Sequence, residues 1–389
     1  MKKLKAGIIG TGYIGPAHIE ALRRLGDVEV AAIAETNQDL ADAKAKQLCI
    51  SKAYGDYKKL LSDADIDVIH NCTPNHLHFQ INCEIMESGK HVVSEKPLAT
   101  TSKDSAKLVA MAKKKGLVNA VNFNYRYYPL VQHAAAIVRK NELGRIFAVQ
   151  GCYMQDWLLY ETDWNWRLEP KFAGRSRAIA DIGSHWFDLI QFVLGRRITK
   201  VFADLATVHQ HRKKPKVQVE TFAGKALKPS QYEKVKIDTE DYGHILLQFD
   251  DGTKGMLCVS QVAAGRKNHI VFELNGTEKS VWWDHERPNE LMIGHRNQPN
   301  QLMLKDAVLM EKEVRDYAHY PAGHNEGYPS AVKNFCRNVY RYIRNPKGAI
   351  DFATFEDGHI ADCIVEAVLE SNRSKKFINV PKVVGSILV

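Results

Sequence analysis

The chain has 389 residues, enough for two domains with cores of their own, and its 45% hydrophobic and 25% charged content is that of a globular protein. It has no apolar run of about 18 or more residues, and the basic start Met1-Lys2-Lys3-Leu4-Lys5 leads into an apolar segment broken at Gly10-Thr11-Gly12, so neither a membrane span nor a secretory leader is expected and the chain reads as cytoplasmic. The net charge of +9 is spread among interleaved acids; the one dense basic run, Arg212-Lys213-Lys214-Pro215-Lys216, reads as a solvated loop, and nucleic acid is not expected as a partner.

The seven cysteines (Cys49, Cys72, Cys83, Cys152, Cys258, Cys336 and Cys363) are scattered and form no C-x-x-C pair. That spacing argues against a disulfide framework and a cysteine metal site, and no metal is expected.

The first strand, Ala6-Gly7-Ile8-Ile9-Gly10, and a helix over residues 16–25 flank Gly10-Thr11-Gly12-Tyr13-Ile14-Gly15, a complete G-x-G-x-x-G. The first glycine permits a tight turn, the second lets a pyrophosphate approach the backbone, and the third lets helix and strand pack closely. The helix N-terminus offers free amides and a positive dipole end to the phosphates. A second strand, residues 28–34, ends in Glu35, an acid about 20 residues beyond the glycines. It can accept hydrogen bonds from an adenosine ribose and would repel a 2′-phosphate, so NAD is expected rather than NADP; the alternative is a surface glutamate after a strand.

The alternation continues with helix 38–47, strand 66–72, a helix after Pro74 ended by Gly89 with Asn75 as its cap, strand 91–94, helix 102–115 ended by Gly116, and strand 117–122. This rhythm means a doubly wound parallel sheet, an α/β Rossmann arrangement. Ligands in such sheets sit at the carboxyl ends of strands, where Thr73-Pro74-Asn75-His76 and Glu95-Lys96-Pro97 fall. Lys96 can hold a substrate hydroxyl against a nicotinamide or be paired with Glu95; both readings stay open here.

Downstream, helix 130–140, strand 145–155, and strands 198–209, 242–249, 254–262, 269–275 and 280–284 read as a mainly antiparallel sheet with helices, the clearest hairpin turn being Asp250-Asp251-Gly252-Thr253. The polar stretch 210–238 reads as an excursion from it. Residues 330–344 and 360–371 read as helices, and 377–380 as a closing strand or tail. Asp156-Trp157-Leu158 and Asp163-Trp164-Asn165-Trp166-Arg167 place aromatic rings beside hydrogen-bonding groups, as a sugar would require; Trp157 and Trp166 are candidate substrate contacts, or core residues beneath the sheet. In Asp181-Ile182-Gly183-Ser184-His185-Trp186-Phe187-Asp188, helical geometry would bring Asp181 and His185 to one side. A carboxylate beside an imidazole is a proton-handling pair, or an ordinary capping or buried salt-bridge feature.

Taken in this order, Gly10 to Gly15, Thr73-Pro74-Asn75-His76, Glu95-Lys96-Pro97 and Asp181 to Asp188 resemble the Gfo/Idh/MocA oxidoreductases, and the resemblance covers nearly the whole chain. It implies an NAD-binding Rossmann domain at 1–124 and a C-terminal α/β domain at 125–389, whose large open, mainly antiparallel sheet binds substrate and mediates a homodimer or homotetramer. It implies that Lys96, Asp181 and His185 are catalytic, and that the Lys96-Pro97 bond is cis. The cofactor contacts it implies are Gly10, Gly12, Tyr13, Ile14, Gly15, Glu35, Thr73, Pro74, Asn75, His78, Glu95 and Lys96. By the same analogy Tyr125, Arg126 and His324, the last in a His/Tyr/Gly/Pro-rich loop, are candidate substrate contacts. The segment Lys171 to Ala178 departs from the family's glycine-rich run, and its Arg177 is read as touching a substrate oxygen or pairing with Glu169. The implied activity is hydride transfer between a secondary hydroxyl of a sugar, glycoside or polyol and NAD. Alternatives are a redox-neutral sugar-modifying enzyme (epimerisation, elimination or glycoside cleavage) that keeps NAD bound, and a non-catalytic NAD-binding sensor.

Overall fold

The computed structural model describes residues 3–216 and 227–383, which fall into two units. The first takes the described residues up to Tyr127 and then Gly327–Asp362; the second takes Tyr128–Glu326 and the described residues from Cys363 on.

In the first unit, strands and helices alternate as β1 Leu4–Ile9, α1 Gly15–Arg23, β2 Val28–Ala34, α2 Gln38–Leu48, β3 Lys52–Tyr54, α3 Tyr57–Leu61, β4 Val68–Asn71, α4 Asn75–Glu87, β5 His91–Ser94, α5 Ser102–Lys115 and β6 Asn119–Val121. The strands form one parallel sheet in the order β3-β2-β1-β4-β5-β6. The later residues of its central strands are buried on both faces and, apart from His70 and Asn71 of β4, are apolar or glycine. Asn37 and Thr101 cap α2 and α5 with side-chain oxygens that accept from Leu40 N and Asp104 N, and left-handed Gly116 stops α5. Asn75 is not the cap of α4. It is the first helical residue, preceded by extended Pro74, and it is buried.

The second unit opens with α6 Pro129–Arg139 and β7 Ile146–Met154, then α7 Pro170–Ala173, a π turn Ile179–Gly183, and α8 Ser184–Leu194. After them come β8 Ile198–Ala206, β9 His211–Pro215, β10 Tyr232–Lys236, β11 Tyr242–Phe249, β12 Lys254–Ser260, β13 His269–Gly276, β14 Ser280–Asp284, β15 Glu290–Gly294 and β16 Gln301–Leu304. With β17 Ile378–Asn379, the main sheet runs β16-β15-β14-β13-β7-β12-β11-β8-β17 among the described residues, antiparallel except for the β7–β12 pair. Trp186, Phe187, Leu189 and Ile190 of α8 are fully buried, each such side chain contributing roughly 1.5–3 kcal/mol of burial. Trp186 Nε1 donates to Val271 O of β13 at 2.8 Å, which seats the helix on the sheet.

Two expectations are corrected here. The basic run is not a solvated loop: residues 211–215 are β9, antiparallel to β10, and the pleat sends Arg212 inward with no exposed surface. The rest of the 210–238 excursion lies partly outside the described residues. The domain division also differs, because the chain returns to the first unit at Gly327. Helix α9 Tyr328–Arg344 buries Ala331, Val332, Phe335, Cys336, Val339 and Tyr340, a stripe at helical spacing, and packs against α1. A helix α10 follows at Phe355–Ser374. No helix among the described residues is long and apolar enough to cross a membrane.

Candidate active site

The glycine turn between β1 and α1 is shaped by close approach. Gly10 has φ +88°, and a Cβ on Gly15 would lie 2.3 Å from Gly10 O, so neither tolerates a side chain. A Cβ on Gly12 would meet nothing within 4 Å, which leaves its face open. Ile14 precedes α1 with no side-chain cap, so the first amides of the helix are not engaged by a capping side chain. Tyr13 is exposed and Ile14 half-buried beside them. Glu35, at the end of β2, accepts from Thr11 N at 2.5 Å and from Thr11 Oγ1 at 2.6 Å. The acid therefore stands at the turn itself. An open glycine face, uncapped amides and an adjacent carboxylate fit a dinucleotide.

At the ends of β4 and β5, Thr73 is half-buried, Pro74 exposed and Asn75 buried. Thr73 Oγ1 donates to Asn71 Oδ1 at 2.7 Å. His78 does not present its ring to a ligand: it is buried, with Nδ1 2.6 Å from Pro97 O and Nε2 2.7 Å from Thr73 O. It braces the two strand-end loops against each other. Burial pulls its pKa below the usual imidazole value, although both carbonyls favour the charged ring. The Lys96-Pro97 bond is cis, as the resemblance implied. Lys96 is half-buried, and Glu95 is buried with Oε1 2.8 Å from His18 Nε2 and 2.6 Å from Asn122 Nδ2. Burial acts to raise the Glu95 pKa, but these bonds and the charge of Lys96 outweigh it and hold the carboxyl below its ordinary value.

Tyr125 and Arg126 lie on a one-turn helix Asn124–Tyr127 and are both buried. The Arg126 guanidinium stands 3.1 Å from Asp357, which directs it to the protein rather than to a ligand.

In the second unit, backbone helical geometry runs unbroken through the π turn into α8, so Asp181 lies in the turn and His185 in the first turn of the helix. The sequence reading put both on one helix; the wider π turn stands between them, a feature often found at functional sites. Glu240 caps this segment from the loop before β11, accepting from Ser176 Oγ at 2.6 Å, Arg177 N at 2.9 Å and Ile179 N at 3.0 Å. Asp181 accepts from Arg167 Nε at 3.2 Å through Oδ1 and from Gln261 Nε2 at 2.9 Å through Oδ2. His185 is buried, with Tyr153 at a ring-centroid distance of 6.3 Å.

Arg177 does not pair with Glu169, and its buried guanidinium is turned into the protein. Its guanidinium has no exposed surface and donates to Asp241, to Gln261 Oε1 at 3.0 Å and to Thr239 Oγ1 at 3.3 Å. Glu169 pairs instead with Lys171 and Lys214. Asp241 also binds Arg212, 2.7 Å away, which in turn donates to Leu158 O at 2.9 Å and Tyr160 O at 2.8 Å. Burial would raise the Asp241 pKa, but Arg177 and Arg212 hold it below the ordinary value. The loop carrying the tryptophans is anchored by this buried cluster.

Trp157 and Trp166 are both half-buried. Trp157 packs against the small apolar cluster of Leu158, Trp164, Leu168 and Ile237, and Trp166 lies under the Arg167 guanidinium, 4.5 Å from its ring centroid. His324 is exposed, on a loop folded around the buried Glu326 carboxylate, which accepts from His319 N, Tyr320 N and Lys305 Nζ at 2.9–3.1 Å.

Sequence reasoning missed Arg167, Glu240, Asp241 and Gln261. Glu240 and Asp241 do follow the basic excursion as a rare adjacent acidic pair before an apolar strand, but their partners lie some 30 to 60 residues away along the chain. One group of possible metal ligands gathers among the described residues, His269, Asp284 and Glu286. The His269 Nδ1 lies 3.3 and 3.2 Å from the two carboxylates, and Arg266 donates to Glu286 at 2.7 Å, so this is an ion-pair cluster with its own cation.

A parallel sheet with a dinucleotide turn, followed by a carboxylate–imidazole segment on a mixed sheet, defines a nicotinamide-dependent oxidoreductase. Residues 4–123 match the family model "Oxidoreductase family, NAD-binding Rossmann fold", and residues 131–282 match "GFO/IDH/MocA C-terminal domain", together more than half of the chain. The chain belongs to the Gfo/Idh/MocA family of oxidoreductases. It is 29% identical to the levoglucosan dehydrogenase of Pseudarthrobacter phenanthrenivorans over 98% of this chain and 100% of that protein. It is 22% identical to the myo-inositol 2-dehydrogenase of Thermotoga maritima, over 98% and 100%. A solved structure described as levoglucosan dehydrogenase in complex with NADH and L-sorbose superposes with a TM-score of 0.88 at 28% identity, covering 98% of this chain and 100% of that one.

Proposed function

We propose that the protein oxidises a secondary hydroxyl of a pyranose sugar or glycoside with NAD as the hydride acceptor. The observation that carries this reading is the placement of Asp181 and His185 four residues apart across the π turn into α8, with Asp181 gripped through both oxygens by Arg167 and Gln261. The similarity to a levoglucosan dehydrogenase along 98% of the chain supports the sugar class.

When bound, NAD supplies the hydride-accepting nicotinamide. The chain's own residues do the rest. His185 accepts the hydroxyl proton, and Lys96 donates to the substrate oxygen as negative charge develops on it. Asp181, held in one orientation by its two donors, orients the substrate. Glu35, its Oε1 engaged by Thr11, offers Oε2 to the ribose hydroxyls and disfavours a 2′-phosphate. Trp166, steadied by Arg167, offers an apolar edge to a sugar. The test is a screen of the purified protein with NAD against anhydrosugars, glycosides, free sugars and inositols, following NADH. Accumulation of NADH with a pyranose, abolished in Lys96→Ala, is expected. Conversion of the sugar without NADH would replace this reading with a redox-neutral one.

We further propose that the open face of the second unit's sheet joins copies of the chain. One row crosses eight strands in register: Phe202, Leu246, Met256, Gln150, Glu273, Trp282, Met292 and Leu302. Six of the eight are apolar, and Leu246, Met256 and Leu302 are 49%, 47% and 50% exposed. A self-complementary apolar face of this kind fits a homodimer or homotetramer. Light scattering should give a multiple of the chain mass, and Leu246→Glu with Met256→Glu should reduce it to one copy; an unchanged mass would move the interface elsewhere.

A further inference from the structure

Beside the loop that carries Lys96 runs a buried file of side chains to which the hydride-transfer reading assigns no task. His18 of α1 and His70 of β4 are wholly buried, and Tyr340 of α9 and Glu95 nearly so. His18 Nε2 lies 2.8 Å from Glu95 Oε1, His18 Nδ1 lies 2.8 Å from His70 Nδ1, and His70 Nε2 lies 3.0 Å from Tyr340 Oη. The two imidazoles meet edge to face at 80°, and His70 stacks on Tyr340 at 22°.

Hydrogen placement follows from chemistry. Two ring nitrogens 2.8 Å apart need one proton between them, and a carboxylate only accepts. One assignment gives each of these three contacts a donor and an acceptor: Tyr340 O–H donates to His70 Nε2, His70 Nδ1–H to His18 Nδ1, and His18 Nε2–H to Glu95, while the Asn122 amide, 3.2 Å from His18 Nε2, donates to Glu95. Adding a proton to His18 would reverse the other two bonds and leave the buried Tyr340 hydrogen without that acceptor. All three donors thus point one way, toward the carboxylate, where Asn122 Nδ2 and the Lys96 backbone amide also converge at 2.6 and 3.3 Å.

We propose that Tyr340, His70 and His18 are positioning residues, a one-way chain of hydrogen-bond donors that holds Glu95 as a fixed carboxylate and through it orients the charge of Lys96. This rests on the reading of Lys96 as the donor to the substrate oxygen. The other titratable groups that face Glu95 are His78, Cys72, Cys336 and Tyr328, and burial acts against the charged form of each, raising the pKa of the two thiols and the phenol and lowering that of His78. Glu95 accepts from the Lys96 backbone amide at 3.3 Å, and the charge of Lys96 favours its ionised form.

Two measurements test the chain. Nitrogen-15 histidine spectra of the NAD-free protein should show His18 as the Nε2–H tautomer and His70 as the Nδ1–H tautomer; an imidazolium at His18, or either tautomer exchanged, overturns the proposal whatever the enzyme's substrate. In kinetics, His18→Leu should lower kcat/KM about 10- to 100-fold, because Glu95 then loses its fixed orientation, while the acid limb that belongs to His185 keeps its position. NAD affinity should not change. His18→Gln, whose amide both donates and accepts, should restore most of the loss, and Tyr340→Phe, which removes one oxygen, should lower kcat/KM in the same direction by less. Folded Leu and Phe variants with wild-type kcat/KM, or Gln and Leu variants that lose equally, would sink it. If Lys96→Ala kept full turnover while the tautomers stood as described, the reading of Lys96 would fall instead.

Discussion

Gln261 donates to Asp181 Oδ2 at 2.9 Å while its own Oε1 accepts from Arg177 at 3.0 Å. One buried amide thus ties the candidate catalytic carboxylate to the Arg177–Asp241 ion pair. Gln261→Leu removes both bonds and lets Asp181 turn. A fall in kcat/KM of about 10- to 100-fold is expected with NAD affinity unchanged, measured by steady-state kinetics beside calorimetric NAD titration. Wild-type kinetics in the variant would show that Asp181 needs no second tether.

Asp241 has no exposed side-chain surface and faces two guanidinium groups that have none either. Asp241→Asn leaves both cations buried with a weaker partner. The expected cost is about 3–5 kcal/mol, read as an earlier urea midpoint. Arg177→Met alone should cost less than Asp241→Asn, because one guanidinium would still pair with the acid.

If His185 is the base, kcat/KM falls as pH drops through the imidazole pKa of the free enzyme. His185→Gln should lower the rate about 10²- to 10⁴-fold near neutrality and flatten that acid limb. An acid limb that survives the substitution would assign the proton to another group.

Glu35→Ala leaves Thr11 without its acceptor and the ribose without a carboxylate. NAD binding should weaken about tenfold, roughly 1.4 kcal/mol, and NADP should gain relative to NAD. Calorimetry with both cofactors reads the two effects separately.

Burial pulls the His70 pKa well below its ordinary value. The unfolded chain binds a proton at this residue below about pH 6.5, whereas the folded chain does not. Stability is therefore full above that pH and declines as pH falls toward the folded pKa, by about 1.4 kcal/mol per pH unit for this one group. Calorimetric melting from pH 7.5 to 5, roughly the window in which the unfolded imidazole charges, should show a shallower decline in His70→Gln than in the wild type. Parallel slopes would mean that other groups carry the acid sensitivity.

Local signals in the chain were enough for most of the parallel half of the fold, though not for the short β3 and α3. The caps Asn37 and Thr101 are as local but were not read; the glycine turn, the apolar β1 and β2 and the stop at Gly116 act within a few residues of each other, so their spacing carries the structure. Glu35 was legible for the same reason, since the length of one β-α-β unit brings it back to the turn it serves. The π turn was not legible, because its extra residue is set by what packs around it and by the Glu240 cap, 61 residues beyond Ile179. The roles of Arg177 and Arg212 were misread because a cation's sequence neighbours say nothing about a carboxylate that arrives from another strand.

By itself the sequence located the dinucleotide turn, carried the motifs that resemble the family and put forward Lys96, Asp181 and His185 as candidates, since motif spacing is a property of residues close along the chain. Tertiary structure alone decided which charges are buried and what faces them: Asp241 between two arginines, Asp181 between Arg167 and Gln261, Glu95 at the end of a donor chain that starts on Tyr340. The physical reason is that a buried charge is tolerated only with partners, and those partners are recruited across tens to hundreds of residues by the folding of sheets and helices rather than by proximity along the chain.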